Sequence, residues 1–333
     1  MGWYILRRLA IAIPTMLVIV TAVFLLVRAI PGNPVLMMVP DDATPQQIAD
    51  VTHRLGLDQP IWVQYGKFLV NAVHLNFGES TRYRVSVSSL IAQKLPATIE
   101  LGVVAAVIAL VIGLVLGTLA GRFRNSWIDR VSSVLGLFGI SAPTFWIGML
   151  LIIYVGGATG WFPTGGRLPG DLSGPGPTGL LIVDTIIHGD IAGLGIVLQH
   201  LFLPALTLGL AMSGMLVRMT RSSIIEVAGD DYVRTARAKG APEFRVLARH
   251  TFRNAMLPVV TVFGMEVASL LSGSMIVETV FAWPGMGSML ITAVTARDYP
   301  LIQGSILLFS LIFIVCNLLV DISYALIDPR IRY

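Results

Sequence analysis

Few residues in this 333-residue sequence have the types and spacing that chemistry requires. The histidines are scattered rather than grouped: His53, His74, His188, His200 and His250. Because no His-Glu-x-x-His pattern is present either, the sequence supports no metal site. It also lacks the Gly-x-x-x-x-Gly-Lys-Ser/Thr loop that binds nucleotide phosphates. These patterns predict a chain that is not an enzyme and that binds no metal or cofactor itself.

Glu266 is a carboxylate inside the otherwise uncharged apolar run of residues 254–277. A charged group inside a membrane is costly and usually faces a helix-bundle interior or a wet cavity. Ser269 lies on the same helical face, and Ser141 lies two residues before Pro143 in another apolar run. One interpretation is that Glu266, Ser269 and Ser141 line a translocation pathway in which Glu266 meets a cationic group. The other is that Glu266 is a protonated or hydrogen-bonded packing residue.

The longest charged stretch, residues 230–258, lies between two apolar runs. Asp230 can cap a helix, Asp231 places negative charge at the positive end of its dipole, and Lys239 suits its last turn. Gly240 then fits the left-handed position that ends a helix. The pattern predicts a short helix with small central residues, which another protein's surface could approach closely: Thr235, Ala236 and Ala238.

A second helix is predicted to start at Pro242 and to bury Phe244, Leu247 and Thr251, which recur at helical spacing. Leu257-Pro258 opens the next apolar run. An alternative explanation needs no partner, because cytoplasmic loops of membrane proteins are basic simply as a result of topology.

The composition predicts an integral membrane protein. The sequence is 55% hydrophobic and 13% charged, whereas soluble domains are about one quarter charged. About 20 apolar residues cross a bilayer. Six runs meet this requirement, and the fold class is therefore an all-α membrane protein with six spans: residues 9–27, 101–121, 131–160, 201–217, 254–277 and 299–320.

Charge predicts the orientation. With the N-terminus inside, 15 lysines and arginines lie on the cytoplasmic side and seven on the other, so both termini are predicted to be cytoplasmic. The sequence pI is about 9.4, but the basic residues flank spans, which argues against a nucleic-acid partner. The single cysteine, Cys316, allows no intramolecular disulfide.

Two regions are predicted. Residues 1–96 hold the first span and an outer helical loop, in which Thr44 to Gln47 form a capping box and Gly56 ends the helix. Residues 97–333 form a core of five spans with a cytoplasmic loop at residues 218–253. Within the core, glycines at 113, 117 and 121 predict close helix packing, and Pro143 and Pro204 predict kinks.

One cytoplasmic set of residues and three outer segments carry a resemblance to a known family. Arg234-Thr235-Ala236, Gly240 and Leu257-Pro258 resemble the cytoplasmic Glu-Ala-Ala…Gly…Leu-Pro signature of the permeases of binding-protein-dependent ABC importers, although the glutamate is missing. The outer segments resemble those of the dipeptide and oligopeptide branch: Leu55-Gly56-Leu57-Asp58-Gln59-Pro60, Trp283-Pro284-Gly285-Met286-Gly287 and Arg297-Asp298-Tyr299-Pro300.

The resemblance implies a type I ABC importer permease of the bacterial cytoplasmic (inner) membrane. It implies that a coupling helix docks on an ATPase through Asp231, Tyr232, Arg234, Thr235, Ala236, Arg237, Lys239 and Gly240. It also implies that an external binding protein docks on Trp283, Pro284, Gly285, Arg297 and Asp298.

The implied partners are a second homologous permease, two ATPases that bind ATP and Mg²⁺, a peptide-binding protein outside the cell and the lipid bilayer. Nickel complexes, glutathione and other small ligands remain alternative substrates. A different class, a proton-driven secondary transporter that uses Glu266, also remains open.

Overall fold

The computed structural model describes residues 2–29, 42–54, 56–169 and 176–327. Within these residues the regular structure is helical, apart from one isolated antiparallel bridge between Glu79 and Ser86. The helices are α1 (Gly2–Ala29), α2 (Pro45–Arg54), α3 (Ile61–Val73), α4 (Val87–Arg122), α5 (Trp127–Ser141), α6 (Thr144–Leu151), α7 (Leu181–Ile187), α8 (Ile191–Ala228), α9 (Asp231–Ala238), α10 (Glu243–Arg245), α11 (Arg253–Val280), α12 (Met286–Thr295) and α13 (Tyr299–Ile327). Two π-helical segments, Ile152–Gly157 and Val246–Phe252, continue α6 and join α10 to α11.

The prediction of an all-α membrane protein is confirmed in its coarse form. Among the described residues, three helical stretches are long and apolar enough to cross a bilayer, and five are if two bent helix pairs each count as one span. The three are Val87–Arg122, Ile191–Ala228 and Tyr299–Val320. In α1 the apolar stretch is the shorter Ala10–Leu26. The count of six spans therefore stays a prediction, as does the orientation, part of which depends on residues 328–333 outside the described part.

The chain divides into two compact units: Met1–Leu95 with Met289–Ile314, and Pro96–Ser288 with Val315–Tyr333. In the first unit, Val20 and Val23 of α1 pack with Leu307, and Tyr65 of α3 hydrogen-bonds Thr21 at 2.6 Å. The sequence of Thr44 to Gln47 does form the predicted capping box. The Thr44 N–H donates to the Gln47 side chain at 2.8 Å, and the Gln47 N–H donates to the Thr44 hydroxyl at 3.3 Å.

In the second unit, the glycine ridge of α4 packs against α8 as predicted. A Cβ atom placed on Gly113, Gly117 or Gly121 would lie 2.4, 2.5 or 2.7 Å from the Cβ of Leu216, Thr220 or Ile224. Such distances leave no room for any side chain, so the two backbones touch along three turns. This contact brings the ends of α4 and α8 together beside α9.

Of the two prolines predicted to kink apolar helices, Pro143 lies at a break between helices and Pro204 does not. α5 ends at Ser141, Ala142 takes an extended conformation and α6 starts after Pro143, so that the helices meet at 110°. A proline in the interior of a helix removes one backbone hydrogen bond and clashes with the preceding turn, which explains the break. Pro204 lies inside α8, which continues through it.

Candidate functional site

The short helix that the sequence predicts after Asp230 is present as α9, Asp231–Ala238. Lys239 follows it, and Gly240 has φ +78°, the left-handed conformation that the sequence predicts. One detail of the prediction is wrong. Asp230 occupies the capping position with extended backbone, but its carboxylate makes no capping hydrogen bond to the described helix.

One face of α9 is anchored and the rest is free to contact another molecule. Val233 is completely buried, whereas the side chains of Asp231 and Arg234 are 95% and 71% exposed and lie 3.5 Å apart. Most of the predicted docking residues are likewise exposed, and only Ala236 is partly buried: Asp231, Tyr232, Arg234, Thr235, Arg237, Lys239 and Gly240. The structure therefore brings the predicted set together on one small protruding element.

Tyr232 connects α9 to the start of α11. The Asn254 amide donates to the Tyr232 hydroxyl at 2.7 Å and to the His250 carbonyl at 3.1 Å, and the Tyr232 hydroxyl reaches the same carbonyl at 3.4 Å. These hydrogen bonds join α9 to the base of an apolar helix.

Glu243 connects α9 to α4, and sequence reasoning did not identify it. One of its carboxylate oxygens lies 2.9 Å from Arg237 Nε, and the other lies 3.3 Å from a guanidinium nitrogen of Arg122. A cavity of about 160 Å³ lies beside this bridge, between the ends of α4, α8 and the Val246–Phe252 segment. Its lining includes Gly121, Ile224 and Thr251.

The second predicted cytoplasmic helix differs from expectation. Pro242 precedes the helix as its cap, α10 has only three residues, and the chain then becomes π-helical. Thr251 is buried, but Phe244 is 82% exposed, so the predicted burial of Phe244 is wrong. The wider π-helical turn shifts the spacing, and Val246 takes a buried place instead.

An ion pair between a buried carboxylate and a partly exposed arginine fixes α5 to α8 near the same end. The Asp129 carboxylate accepts two hydrogen bonds from Arg221, at 2.5 and 2.9 Å. Asp129 also accepts from the Asn125 N–H at 2.9 Å, and its own N–H donates to the hydroxyl of the capping Ser126. The bidentate geometry holds α5 firmly against α8.

Glu266 and Ser269 line one cavity of about 280 Å³, together with residues of α5, α6 and α8. Ser141 is not part of that lining, although its neighbours Ile140 and Ala142 are, and its side chain is exposed. The Ser269 hydroxyl donates to the Glu266 backbone carbonyl at 2.9 Å, not to the carboxylate. Two of the three predicted pathway residues are therefore brought together.

The predicted docking segment at Trp283 is an internally packed loop. Trp283 is completely buried, and its indole N–H donates to the Ala97 carbonyl at 3.0 Å. The buried Glu278 carboxylate accepts from the Thr98 hydroxyl at 2.7 Å and from the Ser288 N–H at 3.0 Å. A Cβ atom on Gly285 would lie 2.4 Å from that carboxylate.

This packing changes the interpretation of the docking candidates. A buried indole and a glycine pressed on a carboxylate present no surface to a partner, so Trp283 and Gly285 hold the loop in shape. Pro284 is partly exposed. Glu278 could have been identified from the sequence as a residue that holds this loop, since it is a lone carboxylate shortly before the Trp-Pro-Gly stretch.

Arg297 and Asp298 lie in the other unit. As in the Trp283 loop, only part of this predicted docking segment is exposed. Asp298 is completely buried and accepts hydrogen bonds from the Ser80 hydroxyl at 2.5 Å and the Arg82 N–H at 3.2 Å. Arg297 is exposed with φ +54°. Of the two, only Arg297 offers its side chain to a partner, and Asp298 positions the turn.

Sequence reasoning also did not identify an ion pair in which both side chains are buried, Arg167 with Glu100. Arg167 lies 2.6 Å from Glu100 and donates to the Gly179 carbonyl at 2.8 Å, while Glu100 accepts from the Ile182 N–H at 2.7 Å. Both side chains are at least nine-tenths buried. Removing one partner of such a pair costs about 3–5 kcal/mol. The pair therefore anchors the segment before α7 to α4.

Comparison with known proteins covers the whole chain. Residues 113–333 match the family described as "Binding-protein-dependent transport system inner membrane component", and residues 1–102 match the N-terminal region of such components. The chain is 43% identical over 335 residues to the dipeptide transport system permease protein DppB of Escherichia coli (strain K12), covering 99% of this chain and 98% of that protein. It is 42% identical over 331 residues to the di/tripeptide transport system permease protein DppB of Pseudomonas aeruginosa (strain UCBPP-PA14), with the same coverage.

Solved structures agree on the fold. An inward-facing structure of the MetNI methionine ABC transporter superposes with a TM-score of 0.56 at 15% identity, covering 72% of this chain and 96% of that chain. A second crystal form of that transporter gives a TM-score of 0.52 at 17% identity. At this identity the likeness establishes the type I ABC importer permease fold alone.

Proposed function

The chain belongs to the family of binding-protein-dependent transport system inner membrane components, and we propose that it is the permease subunit of an ATP-driven ABC importer of dipeptides and short oligopeptides. Peptides are proposed as the substrate because the chain is more than 40% identical, over its full length, to permeases named for dipeptide and di/tripeptide transport. The exposed, anchored helix α9 supports the importer mechanism.

In this proposal, α9 couples ATP-driven closure of the ATPases to movement of the apolar helices. A partner ATPase binds the exposed face of α9 and moves it when two ATPase subunits close on ATP and Mg²⁺. Tyr232 passes the movement to α11 through Asn254, and Arg237 passes it to α4 through Glu243. Because α4 and α8 touch backbone to backbone, these helices move together. The outcome is alternating access of a pathway between the spans.

The complex contains more than one permease. One chain with one such helix engages one ATPase of a pair, so a second, related permease is needed for the other. A peptide-binding protein outside the cell delivers the substrate, and the members of the candidate docking set that remain accessible are the exposed Arg297 and the partly exposed Pro284. The chain itself performs no catalysis in this scheme.

The proposed setting is the bacterial inner membrane, with six spans and both termini in the cytoplasm. The spans are α1, α4, the bent pair of α5 and α6, α8, the helix from α10 to α11, and α13. The basic residues beside α9 then lie on the cytoplasmic side, in agreement with the distribution of positive charge.

Mild-detergent purification of the tagged chain from its native host, followed by mass spectrometry of proteins and small molecules, tests this assignment. We expect two ATPases, a related permease and a binding protein loaded with short peptides. A binding protein loaded with a nickel complex or glutathione would contradict the peptide assignment, and a chain that purifies alone yet transports would contradict the ABC mechanism.

A further inference from the structure

The cavity that contains Glu266 combines one carboxylate with an apolar wall. Its lining comes from α5, α6, α8 and α11 and includes Met212, Met215, Leu208 and Leu270. Among the described residues that line it, Glu266 is the only ionisable one, and it is half-buried. The volume of about 280 Å³ is near the lower end of the roughly 300–1,000 Å³ of small-molecule sites. Such a space suits one end of a short peptide.

The backbone adds to the negative field of the carboxylate. α5 ends at Ser141, and Gly139 and Ile140 of its last turn line the cavity. Pro143 has no N–H, so it cannot supply the helical hydrogen bond to the Gly139 carbonyl four residues earlier. The carboxyl end of a helix carries partial negative charge that favours cations. Two independent features, a carboxylate and a helix end, therefore border the same space.

Both features select against anions and in favour of a positively charged group. The neighbouring hydroxyls of Ser269 and Thr144 also line the cavity and can accept hydrogen bonds from an ammonium. The methionine side chains are flexible and polarisable, which allows contact with side chains of different shape. A peptide transporter needs this combination, because the amino terminus is constant while the side chain varies.

We propose that this cavity is a substrate subsite of the translocation pathway, in which Glu266 and the carboxyl end of α5 receive the protonated amino terminus of a short peptide. Met212 and Met215 then contact the first side chain of that peptide. This inference rests on the proposed function for the identity of the substrate, but the preference for a cation rests on the cavity alone.

The preference can be measured with charged thiol reagents. The variant Ser269→Cys, made in a Cys316→Ser background, places a single thiol in the cavity of the purified transporter complex. We expect a cationic methanethiosulfonate to react on the order of tenfold faster than an anionic one, after each rate is normalised to a small thiol in solution. Adding Glu266→Gln should lower the ratio to the smaller preference that the carboxyl end of α5 supports alone, and Glu266→Asp should retain the full ratio.

Protection of the thiol by bound peptide tests whether the cavity receives a peptide amino terminus. Free Ala-Ala should slow the modification of the thiol several-fold, and N-acetyl-Ala-Ala should not, because acetylation removes the ammonium. Equal normalised rates for the two reagents, or a ratio that Glu266→Gln leaves unchanged, would overturn the subsite. Equal protection by both peptides would overturn the role of the amino terminus.

Measuring peptide uptake by vesicles distinguishes a failure of the proposed subsite from a failure of the proposed function. If the complex imports peptides but shows no reagent preference, the subsite is wrong and the peptide importer stands. If the reagent preference and the selective protection persist but no peptide enters the vesicles, the proposed function is wrong and the cation-binding cavity stands.

Discussion

The left-handed conformation of Gly240 sets the direction in which the chain leaves α9, the helix that is proposed to transmit movement. Its φ of +78° turns the chain out of α9 and toward Glu243. In the described part of the chain, no atom outside its own neighbours lies within 4 Å of a Cβ placed there, so a substitution acts through backbone strain and not through a clash. A left-handed conformation costs a side-chain-bearing residue about 1–2 kcal/mol.

We expect Gly240→Val to redirect α9 and to lower peptide uptake per ATP hydrolysed by about fivefold or more, since 1 kcal/mol shifts an equilibrium by about that factor. Gly240→Asn is the matched control, because asparagine tolerates the left-handed region. The measurement is the ratio of uptake to ATP hydrolysis in vesicles that contain the complex. A normal ratio in Gly240→Val would count against α9 as the coupling helix.

Single residues show which features the sequence could reveal. Gly240 and the capping box at Thr44 were predicted correctly because both depend on a few adjacent residues. The cap at Asp230 was wrong, since a suitable residue type does not guarantee that its side chain turns toward the helix. Glu278 and Glu100 were missed because their partners are distant in sequence.

At the scale of elements, the ridge of α4 is the contact that sequence predicted best. Its four-residue spacing is visible without any knowledge of the partner, although the partner helix, α8, is not. Conversely, α10 and the following π-helical segment could not be predicted, because helical spacing assumes 3.6 residues per turn and the wider turn breaks that periodicity.

Gly117→Ala tests the close packing of α4 and α8. The added Cβ would lie 2.5 Å from the Thr220 Cβ, and overpacking of this kind costs about 1–3 kcal/mol. We expect a lower midpoint of thermal unfolding in detergent. Gly66→Ala in α3 is the control, because no described residue lies within 4 Å of its added Cβ and alanine favours the helix by roughly 0.5–1 kcal/mol. Equal midpoints for the two variants would argue against the contact.

Glu243→Gln tests the bridge between α9 and α4. The side chain is 48% exposed, and exposed pairs contribute about 0–1 kcal/mol, so thermal stability should change little. Uptake per ATP should nevertheless fall, because Arg237 and Arg122 lose their shared carboxylate. Glu226→Gln, which removes an exposed carboxylate near the end of α8 that is in no ion pair among the described residues, should leave coupling normal. Identical coupling in both variants would exclude a role for the bridge.

At the scale of the whole molecule, composition and hydropathy were enough to predict the class of protein. The apolar runs correspond to helices, but Pro143 turns the predicted third span into two helices at 110°. Sequence placed the Trp283 loop among exposed docking segments, whereas the structure buries it on Glu278 and Ala97. Burial of that kind depends on the packing of distant segments, which a single sequence does not display.

In the proposed mechanism, this chain moves peptides only as part of an ATP-driven complex. The uptake of a radiolabelled dipeptide into proteoliposomes that contain the complex purified through this chain tests this mechanism. We expect accumulation that requires ATP on the side of α9 and the binding protein on the opposite side, and that is abolished when either is omitted. Accumulation by the chain alone, driven by a proton gradient without ATP, would contradict it.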